Sequence, residues 1–165
     1  MSEKADKSHR GNASQFFVAG ELCRRGWMAV VTMGNCPNTD VLVSNKEGTK
    51  FVHVQVKTFV PGNRTCSVGA KTEKEFGESF FWVLAGIPEP GPKSDFVYYV
   101  IPSADMALHV RQNHKAWADT PGKKGQQRNR DTSFRTVILP PYMDGFGWNL
   151  QAYADRWDLI ENKLH

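Results

Sequence analysis

Asp40, Gln55 and Lys57 stand in two segments that otherwise read as buried strands, "DVLVS" at 40–44 and "KFVHVQVKTF" at 50–59. Lysine is depleted from strands and rarely buried without a partner, so its place among valines needs a reason. Carboxylate and carboxamide oxygens bind cations, and an ammonium binds anions. The plainest use of such a set is a salt bridge between Asp40 and Lys57 on a solvated sheet face. The alternative is a polar site built on purpose into one face of a sheet.

Pairing arithmetic decides whether the three residues meet. "NKEGT" between the segments reads as a hairpin connection. With Ser44 opposite Phe51, paired numbers sum to 95 and Asp40 falls opposite Gln55. Paired residues of an antiparallel ladder share a face. Val41, Val43, Val52, Val54 and Val56 then form one core layer, while Asp40, Leu42, His53, Gln55 and Lys57 gather on the other. A slip of one residue would set Asp40 against a valine and mix both faces.

The elements that must carry this hairpin follow from periodicity and punctuation. Residues 1–11 read as a polar tail, and 12–165 as one domain. Asn12 and Gln15 have the spacing of a capping box, and a helix runs from there to Gly26, which suits a left-handed cap. Phe16, Ala19, Gly20 and Cys23 are its expected core stripe, with Glu21 at the border. Strands are expected at 27–33, 80–87, 96–101 and 134–139. Helical pieces are expected near "KTEKEF", from an N-cap at Ser103 to about Trp117, and over 150–164.

An N-terminal helix carrying Glu, an Asp opening the second strand, and QxK on the third together resemble the PD-(D/E)xK nuclease superfamily. The matching residues are Glu21 in "VAGELCRRGW", Asp40 in "PNTDVLV" and "QVK" at 55–57. The resemblance covers residues 12–60, and "YADRWDLI" resembles the tails of some members. It implies a restriction-endonuclease-like three-layer α/β fold, with a mixed central β-sheet flanked by helices. It also implies hydrolysis of DNA phosphodiesters with Mg2+, or Mn2+ in its place. Asp40, Gln55 and the Val56 carbonyl are the implied metal ligands, Glu21 a further ligand or the group that orients a metal-bound water, and Lys57 the cation that holds the attacking water or the phosphoryl oxygens. A homodimer is implied because cutting two strands needs two sites.

The sequence departs from the family pattern at Gln55, where a neutral carbonyl replaces the usual carboxylate. Some active members carry Gln there, but one negative charge fewer weakens metal binding. A catalytically inactive nucleic-acid-binding protein of the same fold is therefore the alternative. Pro37 also stands three residues before Asp40 rather than beside it.

Other signals are weaker. Lys123, Lys124, Arg128, Arg130 and Arg135 form the strongest basic patch, a candidate grip on a DNA or RNA backbone. A solvated loop explains it equally well. The net charge of +4 permits a polyanionic partner without requiring one. His109 and His114 are five apart and do not stack on a helix as paired ligands would. The three cysteines show no CxxC and read as free thiols. With no apolar leader and no membrane-length apolar run, a cytoplasmic protein is the expectation.

Overall fold

The hairpin pairs in the register that the arithmetic predicts. Val41 lies opposite Val54, Leu42 opposite His53, Val43 opposite Val52 and Ser44 opposite Phe51. These strands, β2 (Val41–Ser44) and β3 (Phe51–Phe59), follow helix α1 (Lys7–Arg24) and strand β1 (Met28–Val31). The computed structural model describes residues 7–34, 36–91 and 95–165, with only the backbone at residue 7. The short β4 (Thr65–Ser67) precedes a 3-10 turn at Ala70–Glu73, then come β5 (Phe80–Gly86), β6 (Val97–Pro102), α2 (Ser103–Asp119), β7 (Thr136–Ile138) and α3 (Asp158–Leu164).

Five strands form one mixed sheet in the order β1-β2-β3-β5-β6, and β4 pairs with β7 in a separate ribbon. Only the central β3–β5 pair is parallel; its neighbours are antiparallel. Every residue of β5 is buried, as expected for a strand covered on both faces. On one face the hairpin valines, Phe81, Val83 and Val100 pack against Val18 and Leu22 of α1 and against Trp157, Ile160 and Leu164 at the C-terminal end. On the other, Phe80, Trp82, Leu84 and Ile101 pack against Met106 and Val110 of α2 and against Cys66 and Val137 of the ribbon. The result is a three-layer mixed α/β arrangement, and the two layers of side chains are separated by the sheet itself.

Several expectations need correction. Helix α1 begins at Lys7, so residues 7–11 are helical and Asn12 lies inside the helix rather than capping it; residues 1–6 of the expected tail lie outside the described residues. Its buried stripe is Ser14, Val18, Ala19 and Leu22, while Phe16 is 62% exposed and Gly20 and Cys23 face solvent. Two neighbouring stripes of this helix share the same period, and packing selected the one bearing Val18 and Leu22. Ser103 is the first helical residue of α2 and accepts the Phe76 amide at 2.8 Å instead of capping. The expected C-terminal helix is interrupted: a 3-10 turn spans Leu150–Tyr153, Asp155 adopts φ +50°, and α3 starts at Asp158. The charged "KTEKEF" piece forms only the 3-10 turn, and β4 lies in a segment that reads as loop.

Candidate active site

Strand β2 ends its ladder at Val41, one residue after the chain arrives from the 32–39 loop. Asp40 donates its amide to the Val54 carbonyl at 2.9 Å, so its backbone still follows the strand. Its side chain then takes the place that a longer β2 would occupy. The carboxylate Oδ2 accepts the Val56 amide at 2.7 Å and a hydrogen bond from the Gln55 carboxamide. The N–H and C=O of one strand residue point the same way. The Val56 carbonyl therefore faces the same gap as its amide. The loop is tied down by Thr32, whose hydroxyl donates to the Thr39 carbonyl at 2.5 Å, and by a Thr39–His53 side-chain contact at 3.0 Å.

Gln55 stands beside Trp82 and Lys57 beside Leu84 in the parallel register. The Lys57 ammonium lies 5.9 Å from the centre of the Trp82 ring, within cation–π range. Lys57 is half-buried, flanked by Asp40 on one side and the buried Cys66 on the other. Burial pushes the Asp40 carboxyl above its ordinary value; the Val56 amide, the Lys57 charge and the Gln55 amide pull it back in that order. Burial raises the Cys66 thiol to about 12, with Lys57 opposing the shift. That thiol is a packed hydrophobe, not a nucleophile.

The solvated-face salt bridge of the plainer reading does not describe this geometry. Asp40 and Lys57 attract each other without forming a contact ion pair among the described residues, and both sit at the edge of an apolar layer. The arrangement brings one carboxylate, one carboxamide, one backbone amide unit and one ammonium close together where β2 begins beside β3. Its oxygen donors suit a hard divalent cation that retains several waters. Rotation of the Gln55 carboxamide would turn its oxygen toward the gap. A bound cation would also favour the ionised Asp40 that burial disfavours. Among the described residues no group of three His, Cys, Asp or Glu side chains is placed to hold a metal, so a cation here would rest on Asp40 and neutral oxygens.

Glu21 is not part of this gathering. Its carboxylate is held by Arg24 at 2.8 Å and Arg25 at 2.9 Å, and Arg25 reaches Glu161 of α3 at 3.7 Å. The Arg24 hydrogen bond, opposed by burial and helped by Arg25, holds the Glu21 carboxyl below its ordinary value. The reason is the rotation of α1. Val18 and Leu22 face the valine layer, which places Glu21 toward Arg25 and Trp157 on the side of the sheet opposite Asp40 and Lys57. Ser14 is a polar α1 residue that the structure brings to β3: its hydroxyl meets Thr58 at 2.7 Å on the valine side of the strand, the face opposite Lys57. Its i, i+4 spacing to Val18 was the signal for that face. The contribution of Trp82 had no local signal, because it depends on parallel pairing with a strand far along the chain.

The basic patch divides by role. Arg135 is buried, pairs with Glu73 at 2.5 Å and donates to the Thr132 and Phe134 carbonyls at 2.6 and 2.8 Å. Those bonds give it a structural role, and the residue also lines the cavity between the β4–β7 ribbon and α2. Arg130 pairs with Asp119, and Arg128 lies over Trp117 at 4.9 Å from the ring centre. Lys123 and Lys124 are exposed, with no ion pair among the described residues.

No protein-family model matches the chain, and no curated protein matches it. Among solved structures it is similar to that of a bacterial homing endonuclease, I-Ssp6803I. The likeness has a TM-score of 0.52 at 14% identity and covers 96% of this chain and 94% of that one. At that identity the likeness is one of fold over nearly the whole of both chains. No helix among the described residues is long and apolar enough to cross a membrane.

Proposed function

We propose that the chain is a Mg2+-dependent endonuclease of the PD-(D/E)xK kind, hydrolysing phosphodiester bonds of DNA at the Asp40–Gln55–Lys57 gap. The carrying observation is the half-buried Asp40 carboxylate at the end of β2, joined by Gln55 and the Val56 amide and facing Lys57. The fold shared with a homing endonuclease supports the same reading. Asp40, the Gln55 carbonyl oxygen and the Val56 carbonyl would hold the cation, with Mn2+ as a substitute. Bound there, the cation supplies acidification of a water and stabilisation of charge on the scissile phosphate.

The remaining work belongs to the chain. Lys57 lies within cation–π range of the Trp82 ring and close enough to Asp40 for its charge to be felt there. From there it neutralises a phosphoryl oxygen or fixes the attacking water. Asp40 keeps its orientation through the Val56 amide, which limits the rearrangement needed when substrate arrives. Glu21 has no part in this scheme. Glu21→Gln is therefore expected to leave cleavage within about threefold of wild type and to cost no more than ~1 kcal/mol of stability, as exposed ion pairs do. A larger loss of cleavage would return Glu21 to the site. Cutting both strands of a duplex needs two such gaps, which makes a homodimer the expected working form.

The direct test is nicking of supercoiled plasmid in Mg2+ or Mn2+. Strand scission that requires the cation and is lost in Lys57→Ala supports the reading; scission that survives both Asp40→Ala and Lys57→Ala removes it. Gln55→Glu adds the missing charge. Calorimetry should show Mn2+ binding tightened by about tenfold, because ligand charge sets the affinity of such sites. Without cation the new carboxylate would repel Asp40 and lower stability.

A second reading has its own observation. The Gln55 amide already satisfies Asp40 by a hydrogen bond, leaving less need for a cation. A protein that binds nucleic acid without cutting it would show DNA binding in the same buffers with no scission under either metal.

A further inference from the structure

The β4–β7 ribbon has two sides. Cys66 and Val137 pack inward, toward Lys57 and the second core layer. Thr136 and Ile138 face the other way, into a cavity of about 500 Å³. Its opposite wall is α2, through Val110, Asn113, His114 and Trp117, and Phe134 stands at its rim. That volume falls within the roughly 300–1,000 Å³ range of small-ligand sites. One thin ribbon thus separates the cavity from the ammonium of the candidate active site.

The cavity presents flat aromatic surface to solvent. Phe134 is 73% exposed and Trp117 42% exposed. Trp117 is built into a layer: His114 stacks on it with ring centres 5.6 Å apart, and the Arg128 guanidinium lies 4.9 Å from its centre. Large exposed aromatics around an apolar floor mark a surface that is covered in use.

Charge identifies the occupant. Residues 111–135 contain seven Lys and Arg against two Asp, and after Glu73 and Glu75 neutralise Arg135 and Arg111 a surplus of three remains on this face. A second copy seated on this face through an isologous contact would bring the surplus against itself. A polyanion with flat apolar rings is complementary in both respects. In a duplex those rings are hidden in the stack, so the ring that enters must be unpaired.

We propose that this groove binds an unpaired nucleobase of a nucleic-acid strand, stacking it against Phe134 and the Trp117–Arg128 layer while Lys123 and Lys124 hold flanking phosphates. The proposal rests on the nuclease reading for its biological setting and specifies the substrate as one with single-stranded character. Thr136 and the Asn113 carboxamide, which donates to Asp144 at 3.1 Å and keeps its oxygen for another partner, offer polar atoms to the base edge.

The test is binding, measured in EDTA so that cleavage plays no part. A fluorescein-labelled single-stranded oligonucleotide is titrated with the full chain, alongside the same sequence as a blunt duplex. A third oligonucleotide carries one 2-aminopurine. Phe134→Ala and Trp117→Ala are each expected to weaken single-strand binding by about five- to hundredfold, the worth of one base–aromatic stack, with the salt slope unchanged. Lys123→Ala and Lys124→Ala are expected to lower that slope by about 0.7 each. Wild type should quench 2-aminopurine and Phe134→Ala should not. Phe134→Leu, at a mostly exposed position, controls for folding.

Single-strand binding and quenching unchanged in Phe134→Ala would overturn the proposal, as would no binding by wild type. A dimer in sedimentation that Phe134→Ala dissolves would give the groove to a second copy and also overturn it. Quenching that persists in a protein that never cuts DNA would instead remove the nuclease reading and leave the groove assignment standing.

Discussion

An Asp40→Asn protein is expected to cut plasmid DNA about a thousandfold more slowly than wild type and, in EDTA, to melt at a higher temperature. The first effect follows from the chemistry of the gap. Asp40 is the only carboxylate among the side chains that define it, so Asn removes the one negative charge available to a cation. Losing a single group that acts on developing charge costs about a hundred- to a thousandfold in rate. Here the loss also takes away the ligand that anchors the cation.

The second effect has the opposite sign, for a physical reason. Burial raises the Asp40 carboxyl above its unfolded value. The folded state therefore binds more protons than the unfolded state between those two values, and stability falls as pH rises through that window. Above it the folded protein carries the full cost of an ionised, half-buried carboxylate. Asn is neutral, and its carbonyl oxygen can still accept the Val56 amide. Melting curves in EDTA at neutral pH, and again below the ordinary carboxylate range, measure this directly. The gain of Asp40→Asn should shrink at acid pH, where wild-type Asp40 is protonated. Mg2+ should raise the wild-type melting temperature and leave the variant unmoved. A variant that melts lower than wild type in EDTA at neutral pH would show that Asp40 is held for stability, not for catalysis.

Arg135→Ala is expected to lower stability by roughly 3 kcal/mol, because it strands a partly buried Glu73 and two backbone carbonyls. For a chain of this size that is a fall of about 6–12 °C in melting temperature. DNA affinity at a temperature where the variant is folded should stay within about twofold of wild type. The contrast is with Lys123→Ala and Lys124→Ala, whose effects fall on binding and its salt dependence and leave the melting temperature unchanged. Denaturation by urea, read beside binding isotherms for the same three proteins, separates the roles. Loss of affinity without loss of stability in Arg135→Ala would show that its place in the cavity lining serves binding.

These two predictions divide along what local sequence can and cannot express. Strand alternation with a period of two and a short turn set the β2–β3 register, so Asp40, Gln55 and Lys57 could be placed together from residue order alone. The apolar strands of the central sheet were legible for the same reason, although their order was not. Charge was legible as a total and as a cluster, but not as a function: Arg135 and Lys124 look alike in a list of residues. Only the fold buries one against Glu73 and leaves the other in water.

The placement of Glu21 shows the limit most clearly. Two stripes of α1 have the same helical period, and both carry apolar side chains. The rotation that buries Val18 and Leu22 is selected by the valine layer and by Trp157, residues far away along the chain. The same is true of Trp82, which reaches Lys57 only because β5 pairs parallel to β3. Hence the amino-acid order determined the hairpin, its two faces and the polar trio on one of them, because those depend on spacings of a few residues. Which helix face turns inward, which arginine is buried, and which aromatic ring stands under the lysine were decided by tertiary packing. Those choices depend on the surface that distant segments can bury together, and no local spacing encodes that surface.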